Sequence, residues 1–318
     1  MSNRLPKETL NKLRPLEREL KAAVSVGKVE RAIELTIQIQ ALFDDRRHHR
    51  LLKAKLWAFE AALDANRLEY ASSGFEGIRQ LSNTGTRINL EASSLLAICY
   101  LRQKQTAKAK RLIRYAIQNI NAITTDRTRN QFQKRLVDRI EEECILAELI
   151  GTGSAGLDPQ EIHDQSVQLV QHNSDQEILK LIGNSVPPSG IGLLRDMRDY
   201  SIKLLPPPDQ KLLPAPEAAE KPITVGKKTL AILKRISWKM LCDEESELYR
   251  LWSKQMPKVF DKKFFATSLA VSMAQWRIGI PMIAAGVAAI AMKTSAEVFC
   301  SMTKPKTLMI DRNEKDAG

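Results

Sequence analysis

The sequence predicts an all-α protein, a helical-hairpin repeat array followed by a second, smaller helical domain. Three observations carry this. Apolar residues recur at helical spacing along most of the chain, period-2 runs flanked by turn residues are scarce, and three stretches repeat one another. GKVERAIELTIQIQAL, NRLEYASSGFEGIRQL and KQTAKAKRLIRYAIQNI align when Ala32, Ala71 and Ala109 are superimposed. Ile39, Ile78 and Ala116 follow seven positions on. A repeat of this length is the mark of an array that stacks one supersecondary unit on the next.

Each unit reads as two helices. In the third, Leu96, Ala97 and Tyr100 lie on the first helix and Ala109, Ile113 and Ala116 on the second. In the second, Leu52, Leu56, Phe59 and Leu63 form an apolar stripe, with Ala71, Phe75 and Ile78 on the partner helix. The first keeps Ala32 and Ile39 around Thr36, and its leading helix is expected to open at Pro15 and bury Leu16, Leu20 and Ala23. Small residues let paired helices approach, and large ones fill the grooves between units.

This order of small and bulky residues resembles the tetratricopeptide repeat over residues 15 to 120. The resemblance implies an array of antiparallel helix pairs with a groove that holds a protein partner. The spacing here is longer than that family's period of about 34 residues, and Asn121 stands where the family closes its unit with proline.

The rest of the chain is divided by composition. Residues 126 to 150 read as a capping helix, with Phe132, Leu136, Ile140 and Cys144 on one face and Glu141, Glu142 and Glu143 as solvated surface, so the first domain is 1–150. A short helical extension, 151–204, is followed by a Pro/Ala-rich linker at 205–225 that marks the main domain boundary. The C-terminal domain, 226–303, opens with two basic amphipathic helices up to residue 256, the second carrying Leu248, Leu251 and Trp252. Residues 304–318 read as a flexible tail.

The apolar stretch from Phe264 to Met292 carries one charge, Arg277. Gly279 and Pro281 predict a turn that splits it into pieces too short to span a bilayer. The favoured expectation is a buried hairpin packed on the basic helices; the alternative is a segment that engages a membrane.

The net charge of +12 points to an acidic partner, with nucleic acid and an anionic membrane as further partner classes. Aromatics at 5% argue against a base-stacking platform. The sharpest basic cluster is Arg102, Lys104, Lys108, Lys110, Arg111 and Arg114, with no acid between Glu91 and Asp126, and it is the candidate partner-binding face.

Catalytic signals are weak. GTGSAG at 151–156 matches a dinucleotide-binding pattern in letters but follows a helix, so it reads as a helix terminator. His48 and His49 read as a solvated turn, and His163 beside Asp164 lacks a paired nucleophile. Cys99, Cys144, Cys242 and Cys300 lie far apart in sequence, which predicts neither a zinc site nor a disulfide scaffold and favours a reducing compartment. The polar N-terminus has no apolar core of a secretory signal. The sequence thus predicts a non-enzymatic scaffold, cytoplasmic or membrane-associated, without cofactor, metal or small-molecule substrate. A membrane-associated effector and a nucleic-acid-binding regulator are the alternatives.

Overall fold

The computed structural model describes residues 5–153, 156–205, 210, 216–242, 246, 249–250, 263–294, 298–300 and 308. Every regular element among them is a helix, so the protein is all-α. The chain divides into two compact units, residues 1–136 with 307–318, and residues 137–306.

The first unit is built from helix pairs: α1 (Lys7–Ser25) with α2 (Val29–Gln40), α3 (His49–Asp64) with α4 (Leu68–Leu81), and α5 (Arg87–Arg102) with α6 (Thr106–Gln118). A short 3₁₀ turn, Ile120–Ala122, leads to α7 (Asp126–Leu149). Each helix also packs on the next, and α3 touches both α1 and α5. The first helices of the pairs therefore stand side by side.

The sequence repeat is a backbone repeat. Each pair turns on three residues whose middle member has positive φ: Gly27 at 70°, Asn66 at 60° and Lys104 at 59°. Past each turn the same bond closes the first helix: Lys28 N–H donates to Ala23 O at 2.9 Å, Arg67 N–H to Ala62 O at 2.9 Å, and Gln105 N–H to Tyr100 O at 2.8 Å. This is the left-handed cap that satisfies a helix's last carbonyls and reverses the chain. Five residues beyond each positive-φ residue come Ala32, Ala71 and Ala109, all 0% exposed. Thr36 fits the first unit because its hydroxyl donates to Ala32 O at 2.7 Å.

One expectation for this unit changes. The leading helix opens at Lys7, with Pro15 inside it, and buries Leu13, Leu20 and Ala23. Proline here removes a single backbone donor, and Leu13 anchors the turn that precedes it.

The second unit holds the rest of α7, α8 (Pro159–His172), α9 (Asp175–Asn184), α10 (Pro188–Lys203), α11 (Pro216–Glu220), α12 (Pro222–Cys242), α13 (Lys263–Gln275) and α14 (Pro281–Lys293). Its tightest crossing joins α9 to α12. A Cβ on Gly183 would lie 1.9 Å from the Pro222 carbonyl oxygen, and one on Gly226 would lie 1.9 Å from that of Leu179. Only two glycines allow this approach. It also bears on the boundary expected at 205–225: α9 precedes that segment, α12 begins within it, and the two pack on one another inside a single unit.

The apolar hairpin is buried, as expected. Pro281 starts α14, whose residues from Ile283 to Ala289 are all buried. Arg277, with φ 53°, sits in the turn. The hairpin rests chiefly on α8 and α9, with α13 also against α12. No helix among the described residues is long and apolar enough to cross a membrane. Most of the second basic helix, including Leu248, Leu251 and Trp252, lies outside the described residues.

The first three residues of GTGSAG, Gly151 to Gly153, serve the hairpin turn. Gly151, with φ 88°, ends α7, and the N–H groups of Gly151 and Gly153 both donate to Arg277 O at 3.0 Å. Two other expectations are overturned here. Glu141 and Glu143 are 1% and 0% exposed rather than solvated. Glu141 pairs with Arg198 of α10 and, at 2.6 Å, with Lys228 of α12. Glu143 pairs with Arg139 at 2.9 Å and Arg235 at 3.0 Å, and Glu142 also pairs with Arg235. Cys242 and Cys300 form a disulfide with a Cα–Cα distance of 5.4 Å, because the end of α12 meets residues 298–300 despite the sequence separation. That pairing removes the cysteine argument for a reducing compartment. Finally, of the expected flexible tail, Leu308 is 3% exposed and packed in the first unit; the other residues of 304–318 lie outside the described residues.

Two glycine substitutions test this packing, and one at Lys104 tests the repeat turn. Gly226→Ala is expected to lower stability by about 1–3 kcal/mol or more through overpacking, whereas Gly192→Ala, with open space around its Cβ, is expected to be neutral or stabilising. Lys104→Gly is expected to stabilise by about 0.5–1 kcal/mol by relieving the left-handed conformation. Urea unfolding of each variant checks both.

Candidate functional site

Side by side, α1, α3 and α5 wall a cleft of about 790 Å³, closed by the α2–α3 and α4–α5 turns. Its chemistry is cationic: Lys21, Arg47, Arg50, Lys53 and Arg87 against Glu17 and Glu91. Both carboxylates are engaged. Arg50 holds Glu17 through two nitrogens, one at 2.8 Å, and Arg87 Nε meets Glu91 Oε1 at 2.9 Å. Between these pairs lies Trp57, 8% exposed. Lys21 Nζ and Lys53 Nζ stand 5.1 and 4.9 Å from its ring centroid. An indole ring favours such placement of ammonium groups through its negative face.

Local chemistry fixes the walls. Thr86 caps α5 by accepting from Asn89 N–H. Buried Asn89 donates to Arg79 O at 3.0 Å and to Ser82 O at 3.3 Å, and accepts from the Tyr115 hydroxyl at 2.8 Å. One side chain thereby ties the end of α4, the start of α5 and the middle of α6. His48 caps α3: its Nδ1 accepts from Arg50 N–H at 3.3 Å. The N-termini of α3 and α5 thus open into the cleft, where the positive ends of the two helix dipoles add to its potential.

His48 corrects the solvated-turn expectation. It is 5% exposed and lies 4.5 Å, centroid to centroid, from Phe43 and 4.7 Å from His49. Burial first, then His49, holds its pKa below the ordinary 6.5, against the weaker opposing pull of Asp45.

The basic cluster expected as the partner-binding face is split. Arg102 is buried, and its Nη1 donates to Leu63 O at 2.5 Å. It fastens α5 to the end of α3 and is not a surface residue. Lys104 occupies the left-handed turn. Lys108, Arg111 and Arg114 are exposed on α6 and Lys110 is half-buried; Lys108 Nζ lies 5.2 Å from the Tyr100 ring centroid. None of these residues lines the cleft. The cleft instead unites residues from 17 to 91, whose charged members each read alone as ordinary surface. The available signal was a basic residue on the first helix of each pair, Lys21, Lys53 and Arg87, though not at the spacing of the repeat itself.

Among the described residues no three His, Cys, Asp or Glu side chains gather as a metal-binding set. His163 lies in α8, in the second unit. No family model matches the chain, and neither a curated protein nor a solved structure proves similar to it.

The His48 cap makes a pH prediction. Its folded pKa is depressed, so the folded state favours the neutral ring. Stability is therefore undiminished above the unfolded value near 6.5 and falls as pH drops below it, when protonation turns Nδ1 from acceptor to donor. Thermal unfolding between pH 7.5 and 5 is expected to show this decline, and His48→Asn, which keeps a capping acceptor, is expected to flatten it.

Proposed function

We propose that this protein is a non-enzymatic scaffold whose helical-repeat cleft holds an acidic segment of a protein partner. The observation that carries the reading is the cleft's charge: five Lys/Arg against two Glu, with both carboxylates already paired to arginine. A carboxylate entering there meets Lys21 and Lys53 over an apolar ring, in a concavity that excludes part of the solvent and strengthens the attraction. The tetratricopeptide-like order of small and bulky residues supports the same reading, since such arrays present grooves between their first helices. Lys108, Arg111 and Arg114 on α6 extend the positive field and favour encounter with an acidic partner.

A single-strand nucleic-acid function is less well supported. Base stacking needs exposed ring faces, and Trp57 is nearly buried with two lysines close to it.

Calorimetric titration with a hexaglutamate peptide tests the proposal on the full chain. Binding is expected, weakening as salt is raised. Lys21→Glu with Lys53→Glu is expected to reduce affinity more than tenfold, about 1.4 kcal/mol, while Lys108→Glu with Arg111→Glu reduces it severalfold at most. Absence of binding, or indifference to the Lys21/Lys53 pair, would overturn the cleft as the site; tighter binding of a single-stranded oligonucleotide would move the assignment to nucleic acid.

A further inference from the structure

One histidine lines the cleft, His49. Lysine, arginine and glutamate keep their charge between pH 6 and 8, and histidine alone among the residue types of the lining changes it there. The chain has four histidines. His163 and His172 stand on α8 in the second unit. His48 and His49 are adjacent at the start of α3. His48 is buried and lies outside the lining, whereas His49 is exposed and belongs to it.

The elements around His49 make its setting positive. From α1 come Glu17 and Lys21, from α3 itself Arg50 and Lys53, and from α5 Arg87 and Glu91. The turn before α3 carries Asp44, Asp45, Arg46 and Arg47, of which Arg47 lines the cleft. Asp45 closes that turn by accepting from Arg47 N–H at 2.8 Å. α4 reaches the cleft with Leu81, which is uncharged, and α2 supplies none of the lining. Arginine already occupies Glu17 and Glu91. His49 is also the first residue of α3, where the helix dipole opposes a further positive charge.

An acidic ligand reverses this balance. A carboxylate close to an imidazole favours its charged form, so filling the cleft draws a proton onto His49. By linkage, a protonated His49 holds the ligand more tightly in the same proportion. The neighbouring ring does not compete for that proton. The two ring centroids are 4.7 Å apart, and burial first, then His49, keep His48 towards its neutral form.

We propose that His49 is a ligand-contacting residue of the cleft and that an acidic segment is bound there together with a proton on its imidazole. The cleft then grips its partner more firmly as pH falls from 8 to 6. The proton comes from solvent, and no covalent bond of the protein or the ligand changes apart from the new N–H. This rests on the reading of the cleft as a receptor for acidic segments; the position of His49 in the lining does not.

Calorimetric titration of the full chain with hexaglutamate tests it at constant ionic strength. The peptide's side chains stay ionised across this range. At pH 7, titrations in HEPES and in Tris, whose ionisation enthalpies differ, read proton exchange on the wild-type chain without any variant. The two heats are expected to differ in the sense of net proton uptake. Wild-type affinity is expected to be about threefold higher at pH 6 than at pH 8, the scale of one partly exposed ion pair. His49→Gln is expected to give equal heats in both buffers and equal affinity at both pH values, while His48→Asn keeps the wild-type uptake. Binding with equal heats in the two buffers would overturn the proton coupling and leave the cleft reading standing. Uptake that persists in His49→Gln would overturn the assignment to His49. No binding at either pH would overturn the cleft reading, and this inference with it.

Discussion

The left-handed residue at positions 27, 66 and 104 sets the direction in which each helix pair of the array leaves its turn. The same bond closes the first helix each time, from residue 28 to 23, 67 to 62 and 105 to 100, so the second helices leave their turns through the same local geometry. Ala32, Ala71 and Ala109 then fall where they are fully buried. Only such regularity stands α1, α3 and α5 in a row, and only a row brings Lys21, Lys53 and Arg87 to one cleft. The constraint is strong enough to hold a lysine at φ 59°, which costs a non-glycine residue on the order of 1 kcal/mol. Function and strain are linked here through the turn and not through any residue of the cleft.

The second unit solves a different problem. Its helices meet through glycine and small residues, with Gly183 and Gly226 face to face and Gly286 of α14 placed so that a Cβ would lie 2.5 Å from Ile182 Cγ1. Beside this close packing, α7 carries three consecutive glutamates, of which Glu141 and Glu143 are buried. Buried carboxylates are costly unless paired, and removing one partner of such a pair typically costs about 3–5 kcal/mol. Arg139, Arg198, Lys228 and Arg235 supply that pairing from three helices. The network adds directional specificity that glycine contacts lack: each cation has a defined acceptor, so α10 and α12 have one preferred register on α7.

What was legible in the sequence was whatever depends on local pattern. The 38- and 39-residue spacing of the alanines, the start of α14 at Pro281 and the helix end at Gly151 each follow from a residue type at a fixed offset. What was not legible depends on tertiary neighbours. Glu141–Glu143 has the composition of solvated surface, and its four partners lie up to 93 residues away. Arg102 belongs by sequence to the basic run of α6 but stands on α5, one residue before the turn, where it reaches Leu63 O. Cys242 and Cys300 are separated by 58 residues and meet because α12 ends beside residue 300. The cleft itself was the hardest to see, because periodicity identifies the buried face of a helix and says little about which exposed faces are brought together.

The cleft walled by α1, α3 and α5, and not the basic row of α6, is the proposed receptor of the acidic partner. Lysine acetylation footprinting of the wild-type chain, read by mass spectrometry with and without hexaglutamate, tests it without changing a residue. Saturating peptide is predicted to suppress labelling of Lys21 and Lys53 while leaving Lys108 and Lys110 as they were. Suppression at Lys108 and Lys110 with Lys21 and Lys53 unchanged would contradict the claim.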